Sequence, residues 1–159
     1  MMNKENQELY WQVLSKYGCE NQADRFLEAA AAIVQRLKKL EEEREEFILA
    51  ISSPSAVDPS RDYVQGGAAH DMADDMARLE DNTQRIKALK YDLIVMQGYV
   101  KRINNNHYRY LLYTHGIYGV PLLTISNTTK TPYTTLRRDY AAAKNALCKT
   151  LVDWRPQKR

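Results

Sequence analysis

Apolar residues recur at three- and four-residue steps along most of the chain, and no segment sustains the period-two alternation of a strand. That pattern predicts an all-α protein. Residues 1–18 carry Leu9, Trp11, Val13, Leu14 and Tyr17 on a short amphipathic helix, with Gly18 as its terminator. Residues 21–51 form a long helix whose stripe is Phe26, Ala30, Ile33, Leu37, Leu40, Phe47 and Ile51, interrupted by Arg44. A second long helix, placed over 70–104, carries Met72, Met76, Leu79, Ile86, Leu89, Leu93, Met96, Val100 and Ile103, with Thr83 as a polar member of the seam. Between them, residues 52–69 hold two Pro, two Gly and four Ser and read as a linker. The two stripes are too apolar to face water, so the helices are expected to pair in a hairpin or coiled-coil body, within one chain or between copies.

Asn104-Asn105-Asn106 breaks the second long helix. HYRYLLYTHG then reads as a short helix ending at Gly116, with Tyr110, Leu111 and Tyr113 as its inward residues. Beyond IYGVP the stretch VPLLTISNTTKTPYTTLRRDYAAAKNAL reads as two helices joined by a tight polar turn. The first carries Leu122, Leu123 and Ile125. Thr131 is a good N-cap for the second, and Pro132 sits where N1 would be. From Tyr133 no Gly or Pro interrupts the chain through Trp154, and Leu136, Tyr140, Ala143, Leu147 and Leu151 make one apolar face. The expected domains are an N-terminal helical segment over 1–51, the linker, the long helix, a two-helix domain over 105–154 and a basic tail over 155–159.

Charge sharpens this division. The chain of 159 residues has a formal net charge of +3. From Lys101 onward there are 11 Lys+Arg against 2 Asp+Glu, whereas residues 1–100 hold 12 against 18. A basic part on an acidic body suits a nucleic-acid partner. The face opposite the apolar stripe opens with Tyr133, Thr134, Thr135, Arg137 and Arg138. Hydroxyls and guanidiniums on the first turns of an exposed helix suit the DNA major groove, where Arg reads guanine edges. Lys130, Thr131 and Lys144 are the flanking candidates, the lysines for phosphates.

Other chemistry finds little support. The chain has no Gly-rich phosphate loop, no GxSxG and no Cys/His pairing in a plausible context, so no enzyme activity and no cofactor is expected. His70, Asp71, Asp74 and Asp75 offer metal-ligand types, but acidic first turns are ordinary helix chemistry. His107 and His115 are isolated and read as capping or surface residues. Cys19 and Cys148 form no CxxC pair, and the expectation is two reduced thiols in a cytoplasmic protein. Asn3 to Asn6 stand where a signal peptide needs an apolar run, and Ala29 to Val34, the longest such run, is too short to span a membrane.

The stretch YLLYTHGIYGVPLLTISNTTKTPYTTLRRDYAAAKNAL resembles the region-4-type helix-turn-helix of sigma factors. It is similar in layout to the small phage late transcriptional regulators of the RinA and ArpU type, which place a long helix before such a domain. ISSPSAVDPSRDYVQGGAAHDMADDMARLED resembles the linker and helix start of those proteins. In that resemblance Ile125 and Leu136 take the buried positions of the two helices, and Ala143 and Leu147 the packed end of the second. It implies a phage-type transcription regulator that binds duplex DNA in the host cytoplasm, works as a homo-oligomer and has RNA polymerase as a further partner. A second stretch, YGCENQADRFLEAAAAIVQRLKK, resembles the opening of MazG-type nucleotide pyrophosphohydrolases. Only Glu28 keeps that family's carboxylate register, with Ala29 and Ala32 at the other two places, so the likeness implies a helix without the chemistry. The alternative from another class is a helical assembly protein such as a small terminase-like packaging subunit.

Overall fold

A computed structural model describes residues 19–52, 67–151 and Trp154, with side chains described from Gln22 and from Met72 onward in the two long segments. The expected helix over 1–18, most of the linker and the basic tail lie outside these residues. The elements are α1 (Cys19–Ser52), α2 (Gly67–Lys101), α3 (Asn106–Leu111), a π-helical segment (Leu112–Ile117), α4 (Leu122–Thr129) and α5 (Tyr133–Thr150). Among the described residues every regular element is a helix, as the periodicity requires. None is long and apolar enough to cross a membrane.

The chain divides into two compact units, Gln35–Asp92 and Met1–Val34 with Leu93–Arg159. Both long helices are shared between the units, whereas the sequence suggested boundaries where the chain turns. In the first unit the facing parts of α1 and α2 bury Leu37, Leu40 and Ile86. Phe47, Ile51, Leu79 and Leu89 are half-buried beside them, and Arg44 is exposed as its break in the stripe suggests. Met72 and Met76, expected in the same seam, are 59% and 50% exposed. The polar residue of the seam is Asn82, not the expected Thr83. Asn82 is buried and its Nδ2 donates to the Leu40 carbonyl across the helix pair at 3.2 Å, while its Oδ1 is buried without a partner. Thr83 instead returns its hydroxyl to the Leu79 carbonyl on its own helix at 2.8 Å. The Lys90–Glu41 pair between the two helices, at 2.8 Å, is exposed, so water screens most of it.

The second unit holds the larger core. Ala23, Phe26, Leu27 and Ala30 of α1 meet Met96, Val100 and Ile103, then Leu112 and Ile117, then Ala143, Leu147 and Leu151. The Phe26 ring stands edge-on to both Tyr99, at 5.8 Å, and Trp154, at 5.2 Å. α5 ends at Thr150 instead of running through Trp154. Thr150 Oγ1 donates to the Leu147 carbonyl, the Leu151 and Trp154 amides donate to carbonyls three residues back, and the Trp154 indole packs on Phe26. Cys148 is buried and disulfide-bonded, and among the described residues no cysteine is free. This overturns the expectation of reduced thiols, which rested on linear spacing; the chain's other cysteine is Cys19.

α3 starts as the asparagine run predicts. Asn105 is its N-cap, and its Oδ1 accepts from the His107 and Tyr108 amides at 2.9 and 3.2 Å. Arg109 fastens α3 to the end of α2 by donating to the Ile103 carbonyl at 3.0 Å. Tyr110, expected inside, is 42% exposed, and Leu111 and Leu112 are both fully buried. Two adjacent residues on a helix point about 100° apart, so they enter different cores. From Leu112 the helix widens to π, and its five-residue step puts Ile117 below Leu112 in the larger core. Gly116 lies inside this segment and does not end it, as the sequence had suggested. The stop comes at Gly119, whose φ of 72° only glycine adopts freely.

A Cβ on Gly116 would lie 2.9 Å from Leu27 Cδ2 and 3.3 Å from the Tyr140 hydroxyl. Leu27 is itself 3% exposed and has little room to retreat. Gly116→Ala should therefore destabilise the protein by about 1–3 kcal/mol, as overpacking does, read as a lower denaturant midpoint. Asn82→Leu should do the opposite. It removes a buried acceptor with no partner, whose desolvation costs about 1–3 kcal/mol, and adds apolar contact in the seam. A fall in the midpoint would show that the Asn82–Leu40 bond outweighs that penalty.

Candidate nucleic-acid interface

The candidate site is built on a second, smaller core. Leu111, Leu122, Ile125 and Leu136 form it, with Val120 and Tyr140 packed at its edge. It holds α4 and the first turns of α5 against α3. Ile125 and Leu136 are 2% and 0% exposed, as their places in the sequence pattern require. Leu123, on the other side of α4, is 61% exposed.

The connection between the two helices is short and fixed by side chains. Lys130 closes α4 in the left-handed conformation, φ 58° and ψ 25°. Ser126 Oγ donates to the Thr131 carbonyl at 2.6 Å and Thr129 Oγ1 to the Ile125 carbonyl at 2.8 Å. Thr131 was expected to cap α5, but Pro132 occupies the N-cap position and no side chain caps the helix. Pro132 supplies the required extended ψ of 137°, and its carbonyl accepts the Leu136 amide at 3.1 Å. The Thr131 side chain faces back to Thr129, its Oγ1 3.2 Å from that hydroxyl.

With Leu136 facing inward, helical geometry turns Tyr133, Thr134, Arg137 and Arg138 outward over an arc of roughly 140°. All four are exposed, as is Lys130. Thr135 and Thr131 are half-buried. The Arg138 side chain is 78% exposed, with Nε 3.7 Å from Asp139 Oδ1. Asp139 also reaches α3, where its Oδ2 lies 3.1 Å from His107 Nε2.

Lys144 is placed differently from the other candidates. Its Nζ pairs with Asp24 of α1 at 3.1 Å, its side chain is 18% exposed, and it lies over the Tyr140 ring at 5.4 Å from the centroid. Asp24 thus draws it toward the core. Tyr140 is the hub of this corner, with the His115 ring edge-on at 4.6 Å. Burial pushes its phenol pKa up to about 12, and the Asp24 carboxylate adds to the rise. His115 is held by its Nδ1 contact with the Val120 carbonyl at 2.8 Å.

Comparison with protein-family models, with curated proteins and with solved structures finds no match to this chain. What the site can do is therefore argued from its own residues. It offers a basic, hydroxyl-bearing helix face on a rigid two-helix support, with Lys130 at the turn. Among the described residues no group of three or more His, Cys, Asp or Glu side chains could hold a metal ion. Of the earlier acidic set, the His70 and Asp71 side chains lie outside the described residues. The sequence did not reveal the roles of Asp139, His107 and Asp24. They pair across elements far apart in the chain, and no spacing rule connects them.

A lysine in the left-handed region carries a backbone penalty of about 1–2 kcal/mol. Glycine removes it at an entropic cost of about 0.5–1 kcal/mol. Lys130→Gly should therefore raise stability by several tenths of a kcal/mol, measured by chemical denaturation. A lower stability would mean that the lysine side chain holds the turn.

Proposed function

We propose that this chain is a phage-type transcription regulator that binds duplex DNA through α4 and α5, with α5 as the recognition helix. The observation that carries the reading is the outward arc of Tyr133, Thr134, Arg137 and Arg138 on a helix fixed from behind by Leu136. A helix in the major groove needs such a face, free of the fold's own contacts, and a rigid support to aim it. In this reading Arg137 and Arg138 reach base edges and Thr134 offers a hydroxyl and a methyl. Thr131, Tyr133 and Thr135 flank them, and Lys130 meets phosphates. Lys144 can join only by leaving Asp24, so its part is the smallest.

The hairpin body supports oligomerisation and contact with RNA polymerase. Ile48, Leu49, Met72 and Met76 expose large apolar side chains in the unit Gln35–Asp92, and such groups favour a protein partner. That observation also favours the second reading, a helical assembly or packaging protein in which this surface joins subunits and the arginines are solvated. Both readings need no catalytic residue or cofactor and place the chain in the cytoplasm of the host, a location that the Cys148 disulfide does not favour.

Selection on random duplexes, followed by binding at several salt concentrations, separates them. Arg137→Ala or Arg138→Ala should relax preference at one base pair by about 1–3 kcal/mol. Lys130→Ala should weaken all sequences alike and lower the salt slope by about 0.9. Wild-type protein that binds no duplex at low salt, while assembling into closed rings, would decide for the packaging reading.

A further inference from the structure

The hairpin unit Gln35–Asp92 is polarised along its length. The bond from Asn82 to the Leu40 carbonyl marks the division. On one side of it, residues 41–52 and 72–81 carry nine Asp and Glu against Arg44 and Arg78. On the other, residues 35–39 and 83–92 carry six Lys and Arg against Asp92. The Lys90–Glu41 and Arg85–Asp81 pairs span the boundary, but elsewhere the hairpin sets acid beside acid and base beside base. That segregation is unfavourable within one chain and becomes favourable when a second copy lies the other way round. We propose that two copies of this chain associate antiparallel through one flank of the hairpin, the acidic end of each against the basic end of the other. The inference goes beyond both functional readings, which leave open what covers the apolar surface of the body.

The Lys90–Glu41 pair identifies the flank, because it shows which sides of α1 and α2 face the same way. Ile48 lies about 20° round α1 from Glu41. On α2, Met72 is in line with Lys90 and Met76 is about 40° from it. These three exposed apolar side chains therefore share the flank, all at the acidic end. At the basic end Lys87 lies about 60° from Lys90, and Tyr91, 67% exposed, borders the flank. Thr83 stands between the two ends, about 20° from the line of Lys90. It is short, and its hydroxyl is committed to the Leu79 carbonyl of its own helix, so it permits close approach. A twofold axis at Thr83 sets Glu80 opposite Lys87 of the partner subunit and Met76 opposite Lys90 of the partner subunit. Lysine stems are apolar, so the partner's Lys90 and the partner's Tyr91 can cover the thioether of Met76 while the ammonium stays in water. Parallel copies would set like charge on like charge along the whole flank.

The test is sedimentation equilibrium of the full chain at several salt concentrations, for wild type, Glu80→Lys, Lys87→Glu, the double variant and Met76→Ser. All three side chains are exposed, so the fold does not depend on them, and an unchanged helical circular dichroism signal checks this. Wild type should be a dimer that weakens as salt rises from about 0.05 to about 0.5 M. Each single reversal should weaken association about tenfold, because the twofold axis makes every change count twice. The double variant, which exchanges the two charges, should recover the affinity of wild type. Met76→Ser should also weaken the dimer about tenfold. Wild type that stays monomeric up to about 100 μM overturns the inference. So does a dimer whose single reversals associate as wild type does, the outcome for parallel copies, or a double variant that fails to recover. Duplex binding is read separately, and a monomer that binds DNA overturns this inference alone.

Discussion

The arrangement of α4 and α5 depends on a one-residue phase difference at Leu111 and Leu112. Both side chains are fully buried, and they belong to different cores. Leu111 joins Leu122, Ile125 and Leu136 beneath the two-helix unit. Leu112 joins α1 and the later turns of α5. A regular α-helix would carry the next apolar residues around the axis and away from both. The π-helical segment prevents this by aligning Ile117 with Leu112, and the absence of a Cβ at Gly116 lets Leu27 and Tyr140 close over it. α5 is then held twice, by Leu136 in one core and by Ala143, Leu147 and Cys148 in the other. A helix packed at both ends of its length has little freedom to roll. Its outward arc is thereby fixed as a consequence of packing, before any ligand is considered.

This explains what the sequence disclosed and what it hid. Long helices with uniform stripes were legible because burial on one face forces the 3.6-residue period. The inward places of Ile125, Leu136, Ala143 and Leu147 followed from the same rule, and so did the break at Asn104–Asn106. The rule fails at short helices. Tyr110 was assigned inward together with Leu111, although neighbours on a helix point about 100° apart, and Gly116 was read as a stop because glycine commonly ends a helix, whereas here its missing Cβ serves packing inside the π segment. Met72 and Met76 keep the period of the seam but lie exposed, since periodicity states which residues share a face and not whether anything covers it. The Cys148 disulfide was missed for a related reason, because spacing along the chain carries no information about residues that folding brings together.

Polar groups inside the fold follow a common logic. Asn82 is tied to Leu40 at the seam of the hairpin and keeps one acceptor unsatisfied, which disfavours burial there. What it supplies is direction. Apolar seams tolerate sliding by a turn, whereas a side chain that must reach one carbonyl does not, the use best attested for buried polar seam residues. Around Tyr140 the polar atoms are better matched. The Lys144 ammonium lies on the ring and on Asp24, and the Asp24 carboxylate joins α1 to α5. One lysine of the basic half is thus committed to the fold, and composition alone would have counted it toward binding.

The remaining basic residues of α5 are distinguished by what they do not touch. Lys144 points along the helix toward Asp24, but Arg137 and Arg138 lie on the side turned from both cores, and neither makes a contact that the packing of α5 requires. Asp139 lies about 100° further round the helix than Arg138 and is turned to α3, where its Oδ2 is 3.1 Å from His107 Nε2. That contact joins α3 to α5 at the second turn of the helix, on the side away from the arc. By their charges Asp139 and Lys144 thus tie α5 to neighbouring helices, whereas the side that carries Arg137 and Arg138 is held only from behind, through Leu136.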